Sequence, residues 1–379
     1  MMPASRSRNP ALPISSLVCL WLALFPVCSA GQDRQRAPEL TFVHISDIHV
    51  CNLAGLDSRF VERRKHFGNG PETLRRFLES VPAEAQADAV VITGDLLDFY
   101  EAPAGDGVVR SGEVEAFAQL VRASPIPLWL VTGNHDLSSY WFQGAEFLSG
   151  QHNAQQARAA WIRNVRGFEN GTWYSLIRRV GKTTYRLIFL DNSYGADVPG
   201  DLSDRAQLAW LNWQLARGKG DTNLIFMHIP LTVGDTNGDG IRFNVPPSGW
   251  PFPDTYQRGL MKILNENPSV AALFVGHQHR NVIEEMPFPA GHRITQIQTG
   301  NLQVDSGNWR VVRLTEEEIG VSAAGSSDTR VWRTRSRQSQ RQENQGQATV
   351  SPNSDWKPGT ESCLHDGSWS GGRWSTRGR

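Results

Sequence analysis

Asp47-Ile48-His49, Gly94-Asp95-Leu96-Leu97-Asp98, Gly133-Asn134-His135-Asp136, His228 and Gly276-His277-Gln278-His279 are the residues of this chain whose types and spacing point to chemistry. Each group is short and polar, and each directly follows an apolar run. Taken singly, each has an ordinary explanation. An Asp-x-His caps many strand ends, and His228 just before Ile229-Pro230 fits a hydrogen-bonded core histidine. Gly94 and Gly133 fit turns. Gly-His-x-His says more, because alternate residues of an extended segment can both reach one ion. Jointly the groups exclude the ordinary explanation. Burying that many ionisable side chains side by side costs several kcal/mol each, roughly, unless they are paired or metal-bound. The donors are imidazoles, carboxylates and one amide, with no thiolate, which suits Zn, Mn, Fe or Ni and argues against a structural zinc site. Asp47, His49, Asp95, Asn134, His228, His277 and His279 are too many for one tetrahedral ion. They fit two ions of higher coordination that share a carboxylate. Ions paired about 3.5–4 Å apart are typical of hydrolases that displace at phosphorus.

Elements that end at one place must deliver these groups. Leu40 to Ile48 is a β-rich run, and Ala89 to Thr93 and Leu128 to Thr132 are short apolar runs of the kind buried on both faces of a sheet. Further strands are predicted at Trp173 to Ile177, Tyr185 to Leu190, Leu224 to His228, Ala272 to Val275, Ile294 to Thr299 and Trp309 to Leu314. Helical spacing marks Pro71 to Val81, Glu113 to Val121, Asp204 to Ala216 and Thr255 to Asn265, with Pro71 in the first turn where proline is tolerated. The alternation predicts an α/β layered domain with partly mixed sheets. In open α/β sheets ligands bind at the carboxyl ends of the strands, which is where all five groups fall.

The series Asp47-x-His49, Gly94-Asp95-x-x-Asp98, Gly133-Asn134-His135-Asp136, His228 and Gly276-His277-x-His279 resembles the calcineurin-like metallophosphoesterases, with all five blocks in the family's order. Within that superfamily it looks most like the class III cyclic nucleotide phosphodiesterases, although many other members share these motifs. The resemblance implies an α-β-β-α sandwich of two mixed sheets flanked by helices. It implies one ion on Asp47, His49, Asp95 and His279, and another on Asp95, Asn134, His228 and His277. His135 matches the histidine that protonates the departing oxygen, and Asp98 the carboxylate that orients it; an Asp beside a His raises the imidazole pKa and fixes its tautomer. The implied reaction is attack of a metal-bound hydroxide on a phosphate ester. Purple acid phosphatases carry a tyrosine three residues after the bridging Asp. Asp98 stands there instead, which argues against the iron–tyrosinate branch. A catalytically inactive platform on the same fold is the alternative, but such relatives lose ligands or the catalytic histidine, and none is missing here.

Composition bounds the rest. Lys plus Arg (38) equals Asp plus Glu (38), so nothing steers the whole molecule toward nucleic acid or anionic membrane, and no specific nucleic-acid binding is expected. A small phosphate ester is the expected partner. Arg6, Arg8, the apolar stretch Ala11 to Val27 and small residues ending at Ala30 read as a signal peptide over residues 1–30, too short and proline-broken for a membrane span. Export to a periplasmic or extracellular space follows, with residues 31–323 as the folded domain and no span in the mature chain. Cys51 and Cys363 would then be the only cysteines left, and Cys51 is expected as a small buried residue. Residues 324–379, poor in aliphatics, are expected to be a disordered tail whose tryptophans (Trp332 among them) have no evident period. Leu231 to Asp254 is a long Gly- and Pro-rich connection of the functional kind. Asp235 to Gly240 within it imitates the opening of a calcium loop but lacks the closing Glu, Pro246 standing there. Trp141, Phe142, Trp250 and Phe252 follow Asp136 and His228 and could wall a substrate group or simply pack a core.

Overall fold

The computed structural model describes residues 38–111, 113–193, 202–232, 242–243, 254–324 and 329–333. Two six-stranded sheets carry the fold. In the first, Leu40–Ile45, Ala89–Thr93 and Leu128–Val131 run parallel, and antiparallel strands Arg310–Leu314, Glu318–Ala323 and Thr329–Arg333 extend it beyond Leu40–Ile45. In the second, Thr183–Phe189, Thr222–Phe226, Val270–Val275 and Arg293–Gln298 run parallel, edged by antiparallel Tyr174–Val180 and Val282–Pro287.

The central strands are buried at nearly every position, and alternate residues leave on opposite faces. From the first sheet, Phe42, Val91, Trp129 and Val131 enter a core shared with the second sheet. Val43, Val90, Ile92 and Leu130 enter another core with helices Gly70–Glu84, Glu113–Arg122 and Ala154–Asn164. From the second sheet, Leu187, Phe189, Leu224, Phe226 and Phe274 face inward. Ile188, Ile225, Leu273 and Val275 pack with helices Leu202–Arg217 and Asp254–Glu266. Two-residue periodicity with both faces buried therefore produces the expected α-β-β-α sandwich. Tyr174, Phe189, Phe226 and Phe274 stack in a row between the sheets, with successive ring centroids 4.5, 4.7 and 4.8 Å apart. The Tyr174 hydroxyl accepts from Leu130 N and donates to Leu130 O, both at 2.9 Å, and so ties the edge strands of the two sheets.

Several features depart from expectation, among them helix Ala154–Asn164 and strands Val282–Pro287 and Glu318–Ala323, for which no span is predicted. The ordered sheet runs past residue 323: Thr329–Arg333 pairs with Glu318–Ala323, setting Ile319 opposite Trp332. A finished sheet edge supplies the partner backbone, so one large aromatic that packs against the inter-sheet core suffices to dock a polar segment there. A small four-stranded sheet of Glu101–Pro103, Val109–Ser111, Ser139–Gln143 and Glu146–Gly150 and the short helix Ser58–Arg64 also went unpredicted. The long connection after His228 opens with a two-residue pairing of Leu231–Thr232 and Arg242–Phe243; its calcium-like stretch lies outside the described residues. So do residues 1–37, Cys363 and the tail beyond residue 333. Cys51 is buried and free, and its Sγ donates to Phe67 O at 3.4 Å.

Candidate metal centre

Five parallel strands end at the site. Asp47 and His49 follow Leu40–Ile45, Asp95 follows Ala89–Thr93, and Asn134 and His135 follow Leu128–Val131. His228 follows Thr222–Phe226, and His277 and His279 follow Val270–Val275. The loops turn sharply. Among the described residues only six non-glycines have positive φ, and five of them are Asp47 (54°), His49 (41°), Asp95 (47°), His277 (72°) and His279 (53°). Left-handed backbone costs such residues roughly 1–3 kcal/mol each and persists where surrounding structure enforces it. Here the loops are laced together: Asp47 N donates to Gly94 O at 3.1 Å and His49 N to Asp95 O at 2.9 Å. The buried Asp136 carboxylate accepts from Leu96 N, Leu97 N and Gly133 N. Gly94 (φ 88°) is obligatory because a Cβ there would overlap the His228 imidazole.

All seven sequence-predicted ligands converge. Asp47 Oδ1 lies 3.2 Å from His279 Nε2, which lies 3.3 Å from His49 Nε2. Asn134 Oδ1 lies 2.9 Å from His277 Nδ1 and 3.1 Å from His228 Nε2. Asp95 Oδ2 sits between the two groups, 3.2 Å from His228 Nε2 and 3.7 Å from His49 Nε2. Two donors bound to one ion at about 2.0–2.1 Å and 90–110° apart lie roughly 2.9–3.4 Å from each other. The observed separations match such edges except that between Asp95 and His49, which is a few tenths of an ångström longer. Asp47, His49, Asp95 and His279 form one group able to hold an ion, and Asp95, His228 and His277 another.

Hydrogen bonds behind the ligands select the tautomers. His228 Nδ1 is 2.8 Å from Thr93 O, an atom that only accepts, so Nδ1 carries the proton and Nε2 offers its lone pair to the site. Burial alone would lower the pKa of His228, but the Asp95 carboxylate outweighs it and raises it to about 9. Burial would likewise raise Asp95, yet the surrounding imidazoles hold it well below the usual carboxylate range.

Asp98 approaches His135 through two oxygens. His135 Nδ1 is 3.6 Å from the Asp98 carboxylate and 2.8 Å from the Asp98 carbonyl oxygen. The carboxylate is taken by Arg64, whose Nε donates to Oδ2 at 2.8 Å and whose Nη2 meets Oδ1, while His49 Nδ1 lies 3.3 Å from Oδ1 without hydrogen-bonding to it. The carbonyl therefore fixes the His135 tautomer, with the proton on Nδ1, and the Tyr140 hydroxyl lies 3.1 Å from the same Nδ1. Nor is the imidazole pKa raised. Burial pulls it down to about 4 despite Asp95.

Arg64, Phe67 and Tyr140 are site residues that sequence reasoning missed. Phe67 stacks on the His49 ring with centroids 4.2 Å apart, and Arg64 lies over Phe67 at 4.9 Å. No spacing rule links them to the motifs; a lone Arg in a short helix carries no signal. Asn301 was also missed, its Nδ2 3.4 Å from His279 Nε2. Of the four aromatics that could wall a substrate group or pack a core, two can be placed. Trp141 and Phe142 line a cavity of about 810 Å³ whose lining contains no ligand residue, while Trp250 and Phe252 lie outside the described residues.

Comparison with known proteins adds a frame. The family model of calcineurin-like phosphoesterases matches residues 40–281. The chain is 26% identical over 193 residues to the glycerophosphodiester phosphodiesterase GpdQ of Enterobacter lignolyticus, covering 51% of this chain and 56% of that one. It therefore spans little more than half the length of that relative. It is 25% identical over 239 residues to a probable glycerophosphodiester phosphodiesterase GpdQ of Arcobacter nitrofigilis, covering 63% of this chain and 71% of that one. The crystal structure of a dimetal phosphatase from Danio rerio superposes with a TM-score of 0.49 at 15% identity, covering 78% of this chain and 99% of the other.

Proposed function

The chain belongs to the calcineurin-like phosphoesterase family, and on that premise we propose that it hydrolyses phosphodiesters at a two-ion centre after export from the cytoplasm. One observation carries the reading: seven donors from five strand ends gather with neighbouring donor atoms 2.9–3.7 Å apart in two groups that share Asp95. Asp47, His49, Asp95 and His279 would hold one ion and Asp95, Asn134, His228 and His277 the other. When bound, the ions would lower the pKa of a water and take up charge on the phosphoryl oxygens. Asp95 keeps the two sites adjacent, and its Oδ1 accepts from His135 N at 2.9 Å, which places the His135 ring beside the centre. His135 Nε2 faces the reacting group and delivers a proton to the departing oxygen. An anionic ester beside the ring favours its charged form, opposing the burial that lowers its pKa. Two relatives bearing the name glycerophosphodiester phosphodiesterase direct the choice of substrate toward small diesters.

No helix among the described residues is long and apolar enough to cross a membrane. Export rests on the leader-like composition of residues 1–30, and N-terminal sequencing of the mature protein should begin just after Ala30. The activity is tested by loading purified protein with Mn, Fe or Zn. Hydrolysis of bis-p-nitrophenyl phosphate and of glycerophosphodiesters is then followed. Two bound equivalents with turnover of the diesters is the expected result. Full occupancy with no turnover of any mono- or diester would leave a binding platform instead.

A further inference from the structure

We propose that Arg64 is a positioning residue of the metal centre, which pins the Asp98 carboxylate to His49 and so divides the two acceptors of Asp98 between a ligand and the proton donor. The inference rests on the two-ion phosphoesterase reading and deepens it. Asp98 has a carboxylate and a carbonyl, and the structure gives them separate tasks. The carbonyl oxygen meets His135 Nδ1 at 2.8 Å, while carboxylate Oδ1 lies 3.3 Å from His49 Nδ1. That contact is not aligned as a hydrogen bond, so the carboxylate acts on the His49 ring through its charge, which favours the proton on Nδ1 and leaves Nε2 to the ion.

Asp98 cannot hold that pose alone. Its side chain is fully buried, as is that of His49. The carboxylate rotates about a broad, nearly two-fold torsion and could equally turn toward His135, 3.6 Å away. The Arg64 guanidinium removes that choice because its planar fork engages both oxygens, Oδ1 and Oδ2, at once. The same short segment grips the face of the ring. Arg64 lies over Phe67, and Phe67 is stacked on His49 at an interplanar angle of 17°. One ligand is thus held in its plane through Asp98 and across its face through Phe67, both from residues 64–67. His228, by comparison, is oriented by a backbone carbonyl, Thr93 O, that no arginine controls. The consequence is asymmetric: loss of Arg64 should loosen the ion on His49 and spare the one on His228.

The test is metal affinity, measured by competition with a chelator on full-length protein whose folding is checked by circular dichroism. Arg64→Gln is expected to weaken one of the two ions 10–100-fold and leave the other within a few-fold of wild type. Added guanidinium ion should restore part of the loss. Arg64→Lys keeps the charge without the fork and should fall between the two, and it answers the question if the Gln variant does not fold. A folded Gln or Lys variant that binds both ions as wild type does would overturn the proposal, as would equal weakening of both. Wild-type protein that takes up two ions but cleaves no phosphoester would sink the functional reading alone, because the affinity comparison stands without turnover. Wild-type protein that takes up none would end both.

Discussion

His135 marks the boundary between what its neighbours in sequence announce and what only the fold supplies. Its Nδ1 is committed to the Asp98 carbonyl, which leaves Nε2 uncommitted to that bond. If that nitrogen protonates the departing oxygen, His135→Ala should lower kcat by roughly 10²–10⁴ on an alkyl diester, with both ions retained. The loss should shrink on p-nitrophenyl esters, whose leaving group needs little protonation. Full activity of the variant on the alkyl substrate would remove the role. The ligands were legible because each is a donor type that rarely sits at the end of a buried strand without reason, and because five such ends in one chain reinforce one another. The task of Asp98 was not. Spacing places Asp98 near His135, but it does not separate a side-chain oxygen from the main-chain oxygen of the same residue, nor reveal an arginine from a distant helix competing for it.

Elements show the same division. Strands such as Ala89–Thr93 and Val270–Val275 are buried at nearly every position, and a nearly unbroken apolar run bounded by polar residues identifies them directly. Val109–Ser111 is exposed throughout, and Thr329–Arg333 owes its place to an existing sheet edge, so neither has a signature of its own. The pairing of the two large sheets is likewise a tertiary fact. Tyr174 reaches across it with one hydroxyl that serves both the N–H and the carbonyl of Leu130. Tyr174→Phe keeps the aromatic row but strands both backbone groups, and should cost about 1–3 kcal/mol in urea unfolding. A change well under that range would mean that water replaces the hydroxyl and that the sheets are joined by the aromatics alone.

Across the molecule, His44 shows how the sandwich and the site are locked in one protonation state. It is fully buried between the sheets, with Nε2 2.8 Å from Thr93 Oγ1 and Nδ1 2.8 Å from Thr299 Oγ1, each at the end of a strand in a different sheet. Burial lowers its pKa to about 3, far below the 6.5 of an exposed histidine. The unfolded chain therefore binds the proton more readily than the folded one. The stability contributed is fully present above about pH 6.5 and is lost as the pH falls toward 3, at up to about 1.4 kcal/mol per pH unit for one group. Thermal melts from pH 7 to 4 should fall less steeply for His44→Gln than for wild type, and equal slopes would place the acid sensitivity elsewhere.

The left-handed loops at Asp47, His49, Asp95, His277 and His279 have a further consequence. Glycine is the residue that would relax each of these turns, and glycine has no atom with which to grasp an ion. Whatever drift steadies the empty scaffold at those five points therefore erodes its capacity to be loaded. If these five residues hold ions, durability and function compete there residue by residue.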